Sequence, residues 1–240
     1  MPVYETRLTR RETVAEGTMA FHFERPAGFV HDAGQNILMT LIDQPETDSE
    51  GPSRVFTIAS APHEPELMVA TRMRNTAFKR VLKAATLGLK VQIDGPNGVM
   101  VLHEEAGRPA VFLTGGIGVT PFLSMARHAA RNRLPHRILL FYSNRRPEDA
   151  AFLDELRGLE QTNPNYRLIA TMVEADKSSQ PWHGETGFIR RDMLERYLPV
   201  LLGPVYYFAG PPAMTMAMQS LLASCGVSEN DMRSEEFYGY

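Results

Sequence analysis

The spacing of apolar residues changes once along this 240-residue chain, near Arg108, and that change limits what it can fold into. Before it, short apolar runs stand between polar turns, at residues 18–24, 35–42, 54–60, 66–72 and 89–94. Runs of that length and spacing predict an antiparallel sandwich or barrel. Residues 45–53 carry Asp, Glu, Gly and Pro and read as an exposed hairpin loop. One helix is expected from Ala77 to Ala84. After Arg108, strands begin at Val111, Ile138, Tyr166, Val205 and Met232. Helical stripes alternate with them: Phe122, Met125, Ala126 and Ala129; then Phe152, Leu156 and Leu159; then residues 191–197; then Met214, Ala217, Met218, Leu221 and Cys225. Alternation of that kind predicts five parallel strands with helices on both faces. The crevice between two such halves is a natural ligand site.

Composition narrows the function classes. The 25 basic and 28 acidic residues leave a net charge of −3, which argues against a nucleic-acid partner. The single cysteine, Cys225, can form no internal disulfide, and it cannot supply the roughly four ligands of an iron–sulfur cluster. No metal site is expected from the scattered histidines. The first residues lack an apolar leader, and no run approaches the roughly 20 residues of a membrane span, so a soluble, cytoplasmic protein is expected.

Two short motifs carry chemistry. Gly115, Gly116 and Gly118, followed by Thr120 and Pro121, lie between a strand and a helix. Glycines there let a backbone approach a pyrophosphate at a helix N-terminus, and Pro121 suits the first helical turn. A tight turn without a ligand has the same sequence. In the first half, Arg54-Val-Phe56-Thr57 sets a guanidinium, an aromatic ring and a hydroxyl along one strand. That trio can hold a phosphate and cover a flat ring, or it is an ordinary strand with a surface Arg and a core Phe.

Five ordered motifs resemble the ferredoxin–NADP reductase superfamily: Arg54-x-Phe56-Thr57, Gly95-Pro-Asn-Gly98, Gly115 to Pro121, Ala209-Gly210-Pro211-Pro212, and the acidic–aromatic end from Glu235 to Tyr240. The resemblance implies a six-stranded FAD-binding barrel over residues 1–103 and an NAD(P)-binding α/β domain over residues 104–240. It implies that Arg54 holds the FAD pyrophosphate, Phe56 stacks on the flavin, and Thr57 stands near its reactive nitrogen. Thr71, Arg72, Asn75, Thr76 and Ala77 occupy the family's second flavin segment. Phe237 or Tyr240 would shield the other flavin face. Gly115, Gly116, Gly118, Thr120, Pro121, Gly210 and Pro211 would hold the nicotinamide nucleotide. Ala209 stands where many relatives have Cys, which leaves Thr57, Thr120 and Glu236 as polar neighbours of the reacting rings, with Thr57 and Glu236 as the catalytic candidates.

The same resemblance implies a hydride passing from NAD(P)H to FAD, then single electrons to an acceptor on another chain, such as a ferredoxin or an oxygenase iron–sulfur component. A reductase of free flavin, ferric chelates or quinones is the rival enzyme, and a nonenzymatic flavin-binding subunit is the rival of another class. Ser143, Arg145 and Arg146 end the second parallel strand, where an Arg suits a 2′-phosphate, so NADPH is expected over NADH. Glu148 and Asp149 read as helix-start acids. The six arginines 127, 131, 133, 137, 145 and 146, with no acid among them, are either a solvated face or a docking patch for an acidic electron carrier.

Overall fold

In the computed structural model, which describes residues 2–43 and 46–237, two six-stranded sheets follow one another along the chain. Strands β1 (Val3–Ala15), β2 (Thr18–Glu24), β3 (Asn36–Leu41), β4 (Ser53–Thr57), β5 (Glu66–Arg72) and β6 (Lys90–Asn97) pair antiparallel in the order β4-β3-β6-β1-β2-β5. Just beyond β4, the Ala59 N–H donates to the Met68 carbonyl at 2.7 Å and curls the sheet towards β5. Alternate residues fill the interior, among them Phe21, Phe23, Ile37, Met39, Val69 and Ile93. Helix α1 (Ala77–Ala84) adds Phe78, Val81 and Leu82 to that core, and Thr76 caps its N-terminus.

Strand β1 has almost no apolar signature, because only Thr6 and Leu8 of its 13 residues are fully buried. It exists because β2 and β6 pair with it on both sides. Residues 44 and 45 of the expected hairpin loop lie outside the described residues, as does Tyr240.

The second sheet is parallel throughout: β7 (Ala110–Gly115), β8 (Ile138–Asn144), β9 (Tyr166–Met172), β10 (Glu185–Thr186), β11 (Val205–Gly210) and β12 (Met232–Glu236), in the order β10-β9-β8-β7-β11-β12. The expectation of five strands falls one short. Strand β10 has two residues, too few to show a period, and is held by pairing with β9. Side chains alternate between two cores. Phe112, Leu140, Tyr142 and Tyr207 face α2 (Thr120–Asn132) and α3 (Leu153–Thr162). Leu113, Phe141, Ile169 and Phe208 face α4 (Arg191–Tyr197) and α5 (Pro212–Ser224). On α5 the buried stripe is Thr215, Met218 and Leu222. Ala217 is exposed and Cys225 is half-buried.

The two halves are tied through α2. The α2 core continues into Ala20, Met68 and Ala70 on the outer face of β2 and β5. The Ser60 carbonyl accepts from Ser124 Oγ at 2.8 Å. It also lies 3.4 Å from His31 Nε2, and burial pushes the His31 imidazole down to about 4. Arg127 is wedged between Glu64 of the first half, at 3.3 Å, and Glu155 of α3, at 2.5 Å. Its side chain is only 17% exposed, while Glu64 and Glu155 are 29% and 39% exposed, so removing it leaves two partly solvated carboxylates without their shared cation. We expect Arg127→Ala to lower unfolding stability by about 2 kcal/mol in urea titrations. A loss below about 0.5 kcal/mol would make the contact an ordinary surface pair.

Candidate functional site: two cavities that meet

The order β8-β7-β11 makes the gap between β7 and β11 a switch point, and ligands of open parallel sheets bind outside the strand ends at such points. The turn after β7 is shaped for that crevice. Gly116 has φ +54°, and a Cβ on Gly118 would stand 2.4 Å from the Ala209 carbonyl oxygen. Gly118 therefore lets the turn press against the end of β11. Thr114 Oγ1 donates to the same carbonyl at 2.8 Å and fixes it.

A cavity of about 590 Å³ opens there. Gly115, Gly116, Ser143, Arg145 and Pro211 line it, with Phe188, Met214 and, from the first half, Arg72 and Arg74. A second cavity, of about 610 Å³, lies against β4 and α1. Arg54, Phe56, Thr57, Thr71, Thr76, Thr120, Glu236 and Phe237 line it. Ile117 and Arg74 belong to both walls, so the cavities adjoin.

Asn75, Ala77, Gly118, Pro121 and Gly210 line neither cavity. The Asn75 side chain accepts from Arg80 at 2.8 Å. Gly118 and Pro121 shape the turn and the start of α2. Gly210, at φ +156°, passes its carbonyl to the Phe237 N–H at 3.0 Å, and so joins the end of β11 to the aromatic residue over the second cavity.

Three features mark the second cavity as built for a polar ligand. Thr57 Oγ1 is buried without a hydrogen-bond partner. So is Glu235 Oε2, while its Oε1 accepts from Asn36 Nδ2 at 2.9 Å. Asn36 stands opposite Thr57 in the β3–β4 register, which brings the carboxyl to the hydroxyl's side of the sheet. Burial raises the Glu235 pKa above the ordinary carboxylate value, and the Asn36 bond works against that rise. The third feature is a carboxylate at a helix start: Asp48 Oδ2 accepts from the Ala77 N–H at 2.6 Å and its Oδ1 lies 3.7 Å from Arg54 Nη2. An anion already sits where a phosphate oxygen would, so the residues present suit a phosphorylated flat-ring cofactor.

Glu235, Lys79 and Asp48 are not among the site residues chosen from sequence, and Arg74 stands there only as a residue of the second flavin segment or the strand surface. Glu236, the acid chosen there, lies next to Glu235 on β12, so the two point to opposite sides of the strand. Glu236 accepts from Thr215 Oγ1 of α5 at 3.2 Å. Lys79 is 8% exposed, and burial and the neighbouring Arg74 and Arg54 push it down to about 8.

The basic run separates into parts. Arg127 is spent on the seam. Arg146 is bound by Asp149 at 3.0 Å and Glu16 at 2.8 Å. Glu148 and Asp149 are not helix-start acids. They lie in a single 3-10 turn, Pro147–Asp149, ahead of α3, and the Glu148 carboxylate accepts from Ser178 and Ser179. Arg131 in the last turn of α2, with Arg133 and Arg137 just after it, lies towards the amino ends of the parallel strands, the edge opposite the cavities. Among the described residues the Arg145 guanidinium has no carboxylate partner. It lines a small crevice with Arg72, Arg146 and Lys177 beside the cavity of the parallel sheet.

Residues 112–220 match the family described as the oxidoreductase NAD-binding domain. The chain is 27% identical over 230 residues to the glycine betaine monooxygenase reductase subunit of Chromohalobacter salexigens, a match that covers 95% of this chain and 61% of that protein. Its fold overlays the Amycolatopsis cytochrome P450 reductase GcoB with a TM-score of 0.83 at 20% identity, over 98% of this chain and 70% of that one. It also overlays a ferredoxin NADP+ reductase from Neisseria gonorrhoeae, solved with bound FAD and NADP, with a TM-score of 0.81 at 18% identity and 98% of both chains. The chain therefore has the fold of ferredoxin–NADP reductase-like flavoprotein reductases. Its barrel and its parallel sheet each carry a cavity. The chain spans about three fifths of the length of the curated relatives it matches. No helix among the described residues is long and apolar enough to cross a membrane.

Proposed function

We propose that this chain is a flavin-dependent oxidoreductase that accepts a hydride from NAD(P)H and passes electrons to a separate protein acceptor. The observation that carries this reading is the shared wall at Ile117 and Arg74. A nicotinamide in the cavity of the parallel sheet and a flavin in the cavity of the barrel would meet there, and hydride transfer needs little beyond two rings held in contact. Bound FAD would supply the conversion between two-electron and one-electron chemistry.

The protein's own residues supply position and polarity. Arg54 and the start of α1 bind the flavin phosphates. Phe56 and Phe237 bound the ring space. The Thr57 hydroxyl, unpartnered and buried, is free to donate to a ring nitrogen. Glu235 is an acid at the same cavity whose pKa burial raises above the ordinary carboxylate value. Residues 1–103 act as the flavin domain and residues 104–240 as the nucleotide domain. Arg145, with Arg72 across the cleft, favours the 2′-phosphate of NADPH. The acceptor is read as a ferredoxin or an oxygenase component, in keeping with the oxygenase reductase subunit among the relatives.

The test is anaerobic mixing of the flavin-loaded protein with NADPH and with NADH, followed at the flavin absorbance band. Bleaching by either nucleotide is expected, faster with NADPH. A protein that purifies colourless and cannot be reconstituted with FAD removes the reading.

A further inference from the structure

We propose that the acidic segment Glu46–Glu50 is a built-in competitor for the flavin phosphate, and that Asp48 and Glu50 set how tightly the chain holds its cofactor. This rests on the flavin reading above. The segment joins β3 to β4 and carries three acids in five residues. Each reaches a cation or a donor on α1 or on β4. Asp48 takes the Ala77 N–H, at 2.6 Å. Glu50 Oε2 takes Arg54 Nη2, at 2.7 Å. Glu46 grips Arg80, at 2.7 Å.

The first two contacts are the ones a phosphate needs. Arg54 Nη1 is already committed to the carbonyls of Glu50, Gly51 and Ser53, at 2.8 to 3.0 Å. Those bonds hold the guanidinium still and leave its Nη2 side for an anion, which Glu50 occupies. The Ala77 N–H likewise has one lobe to offer, and Asp48 has it. A phosphate that takes the Ala77 N–H and this edge of the Arg54 guanidinium displaces both carboxylates.

The charges around the contact favour exchange over permanent closure. Arg54, Lys79 and Arg80 stand near the segment's acids, and Arg74, which has no carboxylate partner among the described residues, lines the same cavity as Glu50. A phosphate therefore replaces the carboxylates without leaving the cations uncompensated. Arg80 keeps Glu46 throughout, so the segment stays tethered while Asp48 and Glu50 move. If the segment holds the site about nine-tenths of the time, the apparent dissociation constant is about tenfold above its intrinsic value. The energies in play, charge-assisted hydrogen bonds on both sides, are of matching size.

The experiment titrates the cofactor-free chain with FAD, FMN and riboflavin by flavin fluorescence, in wild type and in the double variant Asp48→Asn, Glu50→Gln. Both amides can still accept the same hydrogen bonds, so the fold is retained while the negative charge goes. Tightening of FAD and FMN by about tenfold, with riboflavin unchanged because it has no phosphate, is the expected result. The single variant Glu50→Gln leaves the Ala77 bond alone and moves FAD the same way by a smaller factor. Unchanged or weaker FAD binding overturns the proposal while leaving the flavin reading intact. Equal tightening of riboflavin also overturns it, since the segment would then act as a steric cover. If wild type and variants bind none of the three, the flavin reading falls, and this proposal with it.

Discussion

Arg54→Ala protein is expected to come off a gel-filtration column without flavin. The guanidinium is 17% exposed and its orientation is fixed by three carbonyl bonds, so its loss removes a pre-set donor. It also releases Glu50 and leaves Asp48 at the Ala77 N–H, so two carboxylates then face the phosphate without the Arg54 charge between them. Loss of a hydrogen-bonded charge pair in a half-desolvated site weakens binding by roughly 100-fold or more. Flavin-to-protein ratio after desalting reads the effect directly. Arg54→Lys restores the charge without the fork and is expected to recover only part of it. Thermal melts of the flavin-free proteins separate loss of binding from loss of fold. Flavin retention equal to wild type would take Arg54 out of the phosphate site.

The second large effect is on nucleotide choice, and it divides two neighbouring residues. Arg145→Ala is expected to raise KM for NADPH by roughly 10- to 100-fold and to change KM for NADH by less than about twofold. Arg146→Ala is expected to affect both nucleotides alike, because its guanidinium is already held between Asp149 and Glu16. Steady-state kinetics with the two nucleotides, on each single variant, gives the comparison. Equal losses for NADPH and NADH in Arg145→Ala would exclude a 2′-phosphate contact there. If Arg146 proves the selective residue, the Glu16 and Asp149 pairs must open on nucleotide binding.

The Arg145–Arg146 pair also shows why part of the site was unreadable in the sequence. Neighbouring residues of one type look interchangeable until partners from distant segments are known, and Glu16 is 130 positions away. The six-arginine run fails for the same reason. Its members contact Glu64, Glu155, Glu16 and Asp149, of which only Asp149 is close by in sequence. Glu235 and Glu236 are a third case. Only the side each faces separates them, and that depends on the register with β11.

The sequence by itself determined the two-layer plan, the order of its motifs, the glycine turn after β7 and the strand that carries Arg54, Phe56 and Thr57. Those depend on local conformational preference and on side-chain period, which each short segment carries with it. Tertiary structure alone decided the rest. It supplied β1 and β10, which pairing stabilises and pattern does not, and it buried Glu235 against Asn36. It spent Arg127 on the seam between the halves. It also set Asp48 and Glu50 on the donors expected for a phosphate. Charge pairing acts through space over a few ångströms, and no local pattern reports which segments the fold will bring within that distance.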